Sequence, residues 1–170
     1  MPNLLLYHMY RNASGPSYLR LEKLDTASGA YDDGLYYFFN KDVKPEHVQF
    51  VMKTESPEVE SCDLRFTSIN TTTPSVFTKI PWQDVFFFRF GYFNYQKLNL
   101  VSMVNMFKQD VWYTVDLLIN WRSQTVTVYV DKELKASDIF FTKKKTEVPS
   151  ANTLVLYNLT PGSTCHIRAI

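Results

Sequence analysis

The alternation of apolar and polar side chains in residues 112–131, WYTVDLLINWRSQTVTVYVD, most constrains what this chain can fold into. Successive side chains of a β-strand point to opposite faces, so the odd-numbered apolar residues before the turn at RSQ share one face. The even-numbered valines after that turn lie on the same face of the predicted hairpin and pair with these residues across the two strands. The segment therefore predicts two antiparallel strands with one dry face and one mixed face, as sheet-on-sheet packing requires. The predicted core positions are Val115, Leu117, Val128 and Val130.

The rest of the chain repeats this pattern in short runs bounded by Gly, Pro, Asn, Asp or Ser, which is typical of strands. With 13 Phe and 11 Tyr but only 5 Gly, the composition suits a pleated, half-buried surface. No segment has a convincing helical period. We predict an all-β fold, an antiparallel two-sheet β-sandwich, with strands over residues 4–10, 18–24, 35–39, 48–53, 62–69, 76–80, 85–90, 97–104, 112–120, 125–130, 134–140, 153–157 and 165–169.

Length and charge restrict the classes of function. The 170 residues fit one domain, 1–170, which is either a whole protein or a fragment of a larger one. A formal charge of +1 gives no field that would attract nucleic acid, and no apolar run is long enough for membrane insertion. The start, MPNLLLYHMY, has no basic segment typical of a signal peptide. A cytosolic protein and a piece of a longer precursor both remain open.

Covalent modification depends on that compartment. Asn12, Asn70 and Asn158 each begin a glycosylation sequon, which would be used in the secretory pathway; chance matches are the alternative. The two cysteines, Cys62 and Cys165, are too far apart in sequence for a CxxC redox or zinc motif. They are either a long-loop disulfide or two separate thiols.

Three segments resemble a known fold family. The first segment has a Trp followed by alternating apolar positions, a polar turn and VTVYVD, and it resembles the hairpin of laminin-G-like and other concanavalin A-like jelly rolls. The preceding hairpin of those domains is similar to DVFFFRFGYFNYQKLNLVS, and their closing strands are similar to NTLVLYNLTPGSTCHIRAI. The resemblance covers roughly residues 60–170 and departs where the family usually has Gly after the Asp, since this chain has Lys132. It implies a jelly roll in an extracellular or cell-surface protein with neighbouring modules.

The same resemblance frames the predicted function. It implies a non-catalytic recognition or adhesion module with a carbohydrate or protein partner; a structural domain without a soluble ligand is the alternative. In an oxidising compartment we expect Cys62 and Cys165 to be joined, because Cys165 opens a closing strand that must lie against an earlier one.

A glycoside hydrolase of the endoglucanase type is the catalytic alternative, because such enzymes on this fold carry an E-x-D-x-x-E motif. The nearest text here is EVESCD, with Glu58 and Glu60 two residues apart, a spacing that can bring two carboxyls to the distance that retaining hydrolysis needs. Pro57 and polar flanks indicate a loop without the apolar wall that raises the pKa of a general acid. No other catalytic motif is present, and we predict no enzyme activity.

Ligand contacts are predicted at two turns. Tyr92, Phe93 and Tyr95 follow Gly91 and would form a stacking platform or a hydrophobic anchor; folding back over the core is the alternative. Asp32 and Asp33 would offer oxygens to a ligand hydroxyl or a calcium ion, although an ordinary turn explains them too. No cofactor is otherwise predicted. The scattered His8, His47 and His166 are interpreted as ordinary strand or loop residues.

Overall fold

The protein is described here from a computed structural model, which covers residues 5–10, 17–23, 34–56, 61–68, 83–90, 92–93, 101–102, 107–141, 150–157 and 160–168. Every regular element in these ranges is a β-strand. The strands are β1 (Leu5–Tyr10), β2 (Tyr18–Lys23), β3 (Gly34–Val43), β4 (His47–Thr54), β5 (Ser61–Ser68), β6 (Gln83–Phe90), β7 (Tyr92–Phe93), β8 (Val101–Ser102), β9 (Tyr113–Asn120), β10 (Thr125–Val130), β11 (Glu133–Phe140), β12 (Ala151–Tyr157) and β13 (Thr164–Arg168).

Two antiparallel sheets contain these strands. The seven-stranded sheet has the order β1-β2-β13-β4-β9-β10-β11, and the six-stranded sheet has the order β3-β12-β5-β6-β7-β8. The predicted all-β, two-sheet β-sandwich is therefore confirmed. The predicted strand at residues 76–80 lies outside the described residues. Within the described ranges there is also no helix that could cross a membrane.

The core lies between the sheets and follows the alternation seen in the sequence. Val115, Leu117 and Val128 have no exposed surface and Val130 has 5%, so the predicted core positions are confirmed. The six-stranded sheet contributes Leu64 and Phe66 of β5 to the same cluster. The seven-stranded sheet adds Leu21 of β2 and the β4 residues Phe50 and Met52. Because β9 and β10 pair in register, with Val128 opposite Leu117, their apolar sides form one continuous surface.

The turn between β10 and β11 explains how the chain tolerates the departure from the family pattern. Asp131 and Lys132 both have positive φ, 49° and 69°, as a two-residue hairpin of this kind requires. Lys132 thus adopts a conformation that Gly adopts more readily. The Asp131 Oδ1 accepts a hydrogen bond of 2.8 Å from the Thr114 amide, which ties the turn to β9.

The outer faces of the two sheets differ. Along β5 and β12 of the six-stranded sheet the side chains that alternate with the core residues are also buried: Arg65, Thr67, Thr153 and Val155. On the seven-stranded sheet the outer side chains include half-exposed aromatic and charged residues. Among the described residues, the outer face of the seven-stranded sheet combines aromatic with charged side chains. The six-stranded sheet also exposes aromatic side chains on its edge strand β3, Tyr37 at 63% and Phe38 at 46%.

Candidate functional site: the outer face of the seven-stranded sheet

Strand register brings distant residues together on this face. Cys165 and Ile167 pack into the core, so His166 and Arg168 project from the other side of β13. His166 lies opposite Arg20 of β2 and opposite Lys53 of β4.

Trp112 extends this row onto the next strand. Met52 of β4 pairs with Tyr113 of β9, which places the preceding Trp112 beside Lys53. We call the six residues Tyr18, Arg20, Lys53, Trp112, His166 and Arg168 the Trp112 patch.

Aromatic rings form the centre of the Trp112 patch. The ring centroids of Tyr18 and Trp112 are 5.7 Å apart in an edge-to-face arrangement, within the range that aromatic pairs favour. The His166 ring lies 5.5 Å from Tyr18 and 6.1 Å from Trp112. Three rings from β2, β13 and the start of β9 therefore contact one another on a face that also carries charge.

Cations lie against the indole ring. The Arg168 Cζ is 4.6 Å from the Trp112 ring centroid and the Lys53 Nζ is 5.6 Å from it, both within cation–π distance. Lys53 also pairs with Asp110 at 3.2 Å. Arg20 pairs with Glu22 on the same strand at 2.5 Å. The patch therefore combines a planar apolar surface with fixed positive charge.

His166 is the most buried polar residue of the patch, with 4% of its surface exposed. Burial lowers its pKa below the ordinary 6.5; the hydrogen bond with Glu55 opposes this shift, and the charges of Lys53 and Arg20 add to it. This direction of the pKa shift favours the neutral imidazole at pH 7. Its Nε2 lies 3.0 Å from the Glu55 Oε1, and because a carboxylate only accepts, Nε2 donates. Nδ1 is then an acceptor, and no described residue offers it a hydrogen bond.

A second polar group lies further along the same face. Asp116 Oδ1 is 2.8 Å from His47 Nε2 and accepts a hydrogen bond of 2.7 Å from Gln49 Nε2. His47 is exposed, and no aromatic ring of a described residue packs on it. We call His47, Gln49 and Asp116 the His47 cluster. Leu118, 43% exposed, follows on the same face of β9.

The predicted aromatic platform is placed differently from the expectation. β6 ends at Phe90 and β7 begins at Tyr92, and the two strands pair Phe88 with Phe93. Tyr92 and Phe93 therefore lie in a strand after the turn and not on the turn itself, because Tyr92 already pairs with Arg89 of β6. Their side chains, and Tyr95, lie outside the described residues, so their ligand role stays a prediction.

Other predicted site residues also lie outside the described ranges: Asp32, Asp33, Glu58, Glu60, Asn12, Asn70 and Asn158. Their roles in ion binding, catalysis and glycosylation stay predictions. Where side chains are described, no group of three His, Cys, Asp or Glu residues could hold a metal ion.

Cys165 is fully buried and is a half-cystine, not a thiol. The chain has two cysteines, and the backbone of Cys62 lies in β5, which contacts β13 across the sandwich. The side chain of Cys62 is outside the description. The pairing of Cys62 with Cys165 accordingly stays a prediction.

Two cavities lie near the ends of the β9–β10 hairpin. One, of about 440 Å³, is lined by Glu46, Trp121 and Arg122 among others. The other, of about 400 Å³, includes Tyr113, Glu133 and Lys135. Neither of these two cavities includes a residue of the Trp112 patch.

Comparison with known proteins bears on the fold alone. No protein-family model matches the sequence and no curated protein matches it. A solved sialidase structure is similar over 95% of this chain, with a TM-score of 0.60 and 13% identity, while the chain covers 16% of the sialidase. A galectin of Caenorhabditis elegans matches over 79% of this chain and 96% of its own, with a TM-score of 0.39 and 16% identity. The chain thus has an antiparallel β-sandwich fold similar to one portion of a larger protein.

Proposed function

We propose that this domain is a non-catalytic recognition module of the concanavalin A-like type that binds a carbohydrate on the Trp112 patch. The observation that carries the proposal is the contact of Trp112 with Tyr18, Arg168 and Lys53 on the outer face of the seven-stranded sheet. Sugar rings have apolar C–H surfaces and many hydroxyls, so a site for them needs aromatic surface beside fixed polar groups.

Preorganisation supports the same role. Ring contacts and ion pairs hold the patch side chains in place before any ligand arrives, which reduces the ordering cost of binding. Aromatic and Arg residues are also the types that contribute most to binding energy in interfaces. The exposed His47 cluster has hydrogen-bonding groups but lacks this aromatic surface. We therefore assign recognition to the Trp112 patch.

The absence of catalysis is part of the proposal. The carboxylates nearest the patch centre are already engaged, Glu22 by Arg20 and Glu55 by His166. Neither is isolated in an apolar pocket, the environment that a general acid of this type needs. Glu58 and Glu60 remain the candidates for the hydrolase alternative, and a sugar-release assay with Glu58→Gln and Glu60→Gln tests it.

An extracellular or cell-surface location is proposed with the function. A half-cystine at Cys165 supports an oxidising compartment, because disulfides rarely persist in the cytosol. Mass measurement of the secreted chain before and after reduction tests this assignment: a loss of two hydrogens on bridging is expected, and two free thiols would contradict it.

A glycan array followed by calorimetric titration of the best hit tests the proposed function. Trp112→Ala and Tyr18→Ala should each weaken binding by about 1 to 3 kcal/mol, or roughly 5- to 150-fold in Kd. Leu118→Ala is the matched control, because it removes an exposed apolar side chain from the same face of the sheet. Melting curves of all variants separate lost binding from lost folding.

The alternatives give different results. Binding lost only in Tyr92→Ala and Tyr95→Ala would move the site to the earlier aromatic candidates. Sugar release abolished by Glu58→Gln or Glu60→Gln would make the domain an enzyme. An array without any bound glycan would favour a structural domain with no soluble ligand.

A further inference from the structure

Arg168 differs from the other cations of the Trp112 patch in its partners. Arg20 pairs with Glu22 and Lys53 with Asp110, whereas no carboxylate of a described residue lies within ion-pair distance of Arg168. Its described contact is with the Trp112 ring, 4.6 Å from Cζ to the ring centroid. Arg168 therefore keeps its charge and its N–H donors for a group outside the described protein.

Contact with the indole ring also orients the guanidinium. A guanidinium packed on an aromatic ring loses rotational freedom but keeps N–H groups at its edge, and these match the two oxygens of a carboxylate. Arg168 is half-buried at the end of β13, so part of this orientation is fixed by the strand. The geometry favours an anion that is planar and accepts two hydrogen bonds.

The charged side chains around Arg168 have partners within the protein, which leaves Arg168 as the cation of the patch for an anionic ligand. Lys53 lies over the same ring at 5.6 Å, and its charge is paired with that of Asp110. The carboxylate of Glu55 is engaged by His166 at 3.0 Å, and Glu22 by Arg20.

We propose, on the basis of the proposed carbohydrate function, that the sugar bound by this domain is acidic and that Arg168 binds its carboxylate. The Tyr18 ring and the uncovered part of Trp112 contact the sugar ring beside that carboxylate. The ligand class is a carboxylated saccharide, either a uronic acid or a sialic acid.

Matched sugars that differ in charge test this inference. The probes are a short oligogalacturonate against its methyl ester, sialyllactose against lactose, and a dextran sulfate fragment, which carries sulfate groups and no carboxylate. Calorimetric titrations use the wild-type chain, Arg168→Gln and Arg168→Lys. Lys135→Gln is the control variant, since it removes one positive charge on β11, where Lys135 pairs with Glu133. Melting curves confirm that each variant is folded.

The wild type should bind at least one of the two carboxylated probes about tenfold more tightly than its uncharged match, a difference set by one oriented ion pair. Arg168→Gln should abolish that preference. Arg168→Lys should retain part of it, because an ammonium does not form the paired hydrogen bonds. Lys135→Gln should leave it unchanged, and the probe that shows the preference identifies the uronic or the sialic acid.

Three results would overturn the inference. Equal binding of charged and uncharged matches removes the carboxylate preference while the proposed function stands. A sulfated fragment bound more tightly than both carboxylated probes, with equal losses in Arg168→Gln and Lys135→Gln, means attraction by net charge alone. No binding of any probe by the folded wild type, together with an empty glycan array, removes the proposed function as well.

Discussion

Phe50 and His166 are equally buried, at 4% exposure each, yet they lie on opposite faces of the same seven-stranded sheet. Phe50 belongs to the core cluster between the sheets. His166 is covered by Tyr18, Trp112 and charged side chains on the outer face. Burial alone therefore does not identify the core. The inner face excludes water by apolar packing, and the outer face does so locally with aromatic rings and ion pairs.

The two faces of the seven-stranded sheet should differ most in the stability that is lost when a charged side chain is introduced. Val128→Asp places an unpaired carboxylate in the core and should unfold the domain, with a loss of more than about 4 kcal/mol. Thr127→Asp, one residue earlier and on the outer face, should cost about 1 kcal/mol or less. Urea unfolding followed by circular dichroism measures both. Similar losses for the two variants would contradict the assignment of the faces.

The residues of the inner face could be predicted from the sequence, because the alternation of apolar and polar side chains is a local signal within each strand. Val115 and Val128 were identified as core residues from their own strands, and the strand ends differ from the predicted ones by a few residues. The β10–β11 turn shows a limit of the same method. Lys132 has a positive φ, and nothing in its own side chain predicts that conformation.

The outer face could not be predicted in the same way. Tyr18, Trp112 and His166 are far apart in sequence, and they meet only because β13 inserts between β2 and β4. No local pattern encodes that strand order. The aromatic residues at 92, 93 and 95 are close together in sequence, whereas the residues of the Trp112 patch come together only in the folded sheet. The polar residues of the closing segment TCHIR were the one available signal.

A smaller effect is expected from acidification, and it tests the polar burial of His166. Burial lowers the pKa of His166 below 6.5. The hydrogen bond that His166 donates to Glu55 opposes this shift, and the charges of Lys53 and Arg20 add to it. At pH values between the folded and the unfolded pKa of His166, this residue is protonated in the unfolded chain and not in the folded one. The free energy of unfolding therefore falls as the pH drops below about 6.5, by at most about 1.4 kcal/mol per pH unit.

Denaturant unfolding at several pH values down to about pH 5 measures this slope, which ends at the folded pKa. His166→Gln keeps a donor for Glu55 but does not titrate, so its slope should be shallower than that of the wild type. Equal slopes in the two proteins would mean that His166 is hydrated and that the two faces differ less than its 4% exposure indicates.

The smallest effect should come from the His47 cluster, which shares the outer face but lacks aromatic cover. Asp116 accepts hydrogen bonds from His47 and Gln49 at 2.8 and 2.7 Å, and the side chain of His47 is 52% exposed. Water therefore competes for both donors, and Asp116→Asn should cost less than about 1 kcal/mol. The same unfolding assay at pH 7 measures it, with glycan binding expected to be unchanged. A loss of several kcal/mol, or lost glycan binding, would show that the functional surface extends along β9 beyond the Trp112 patch.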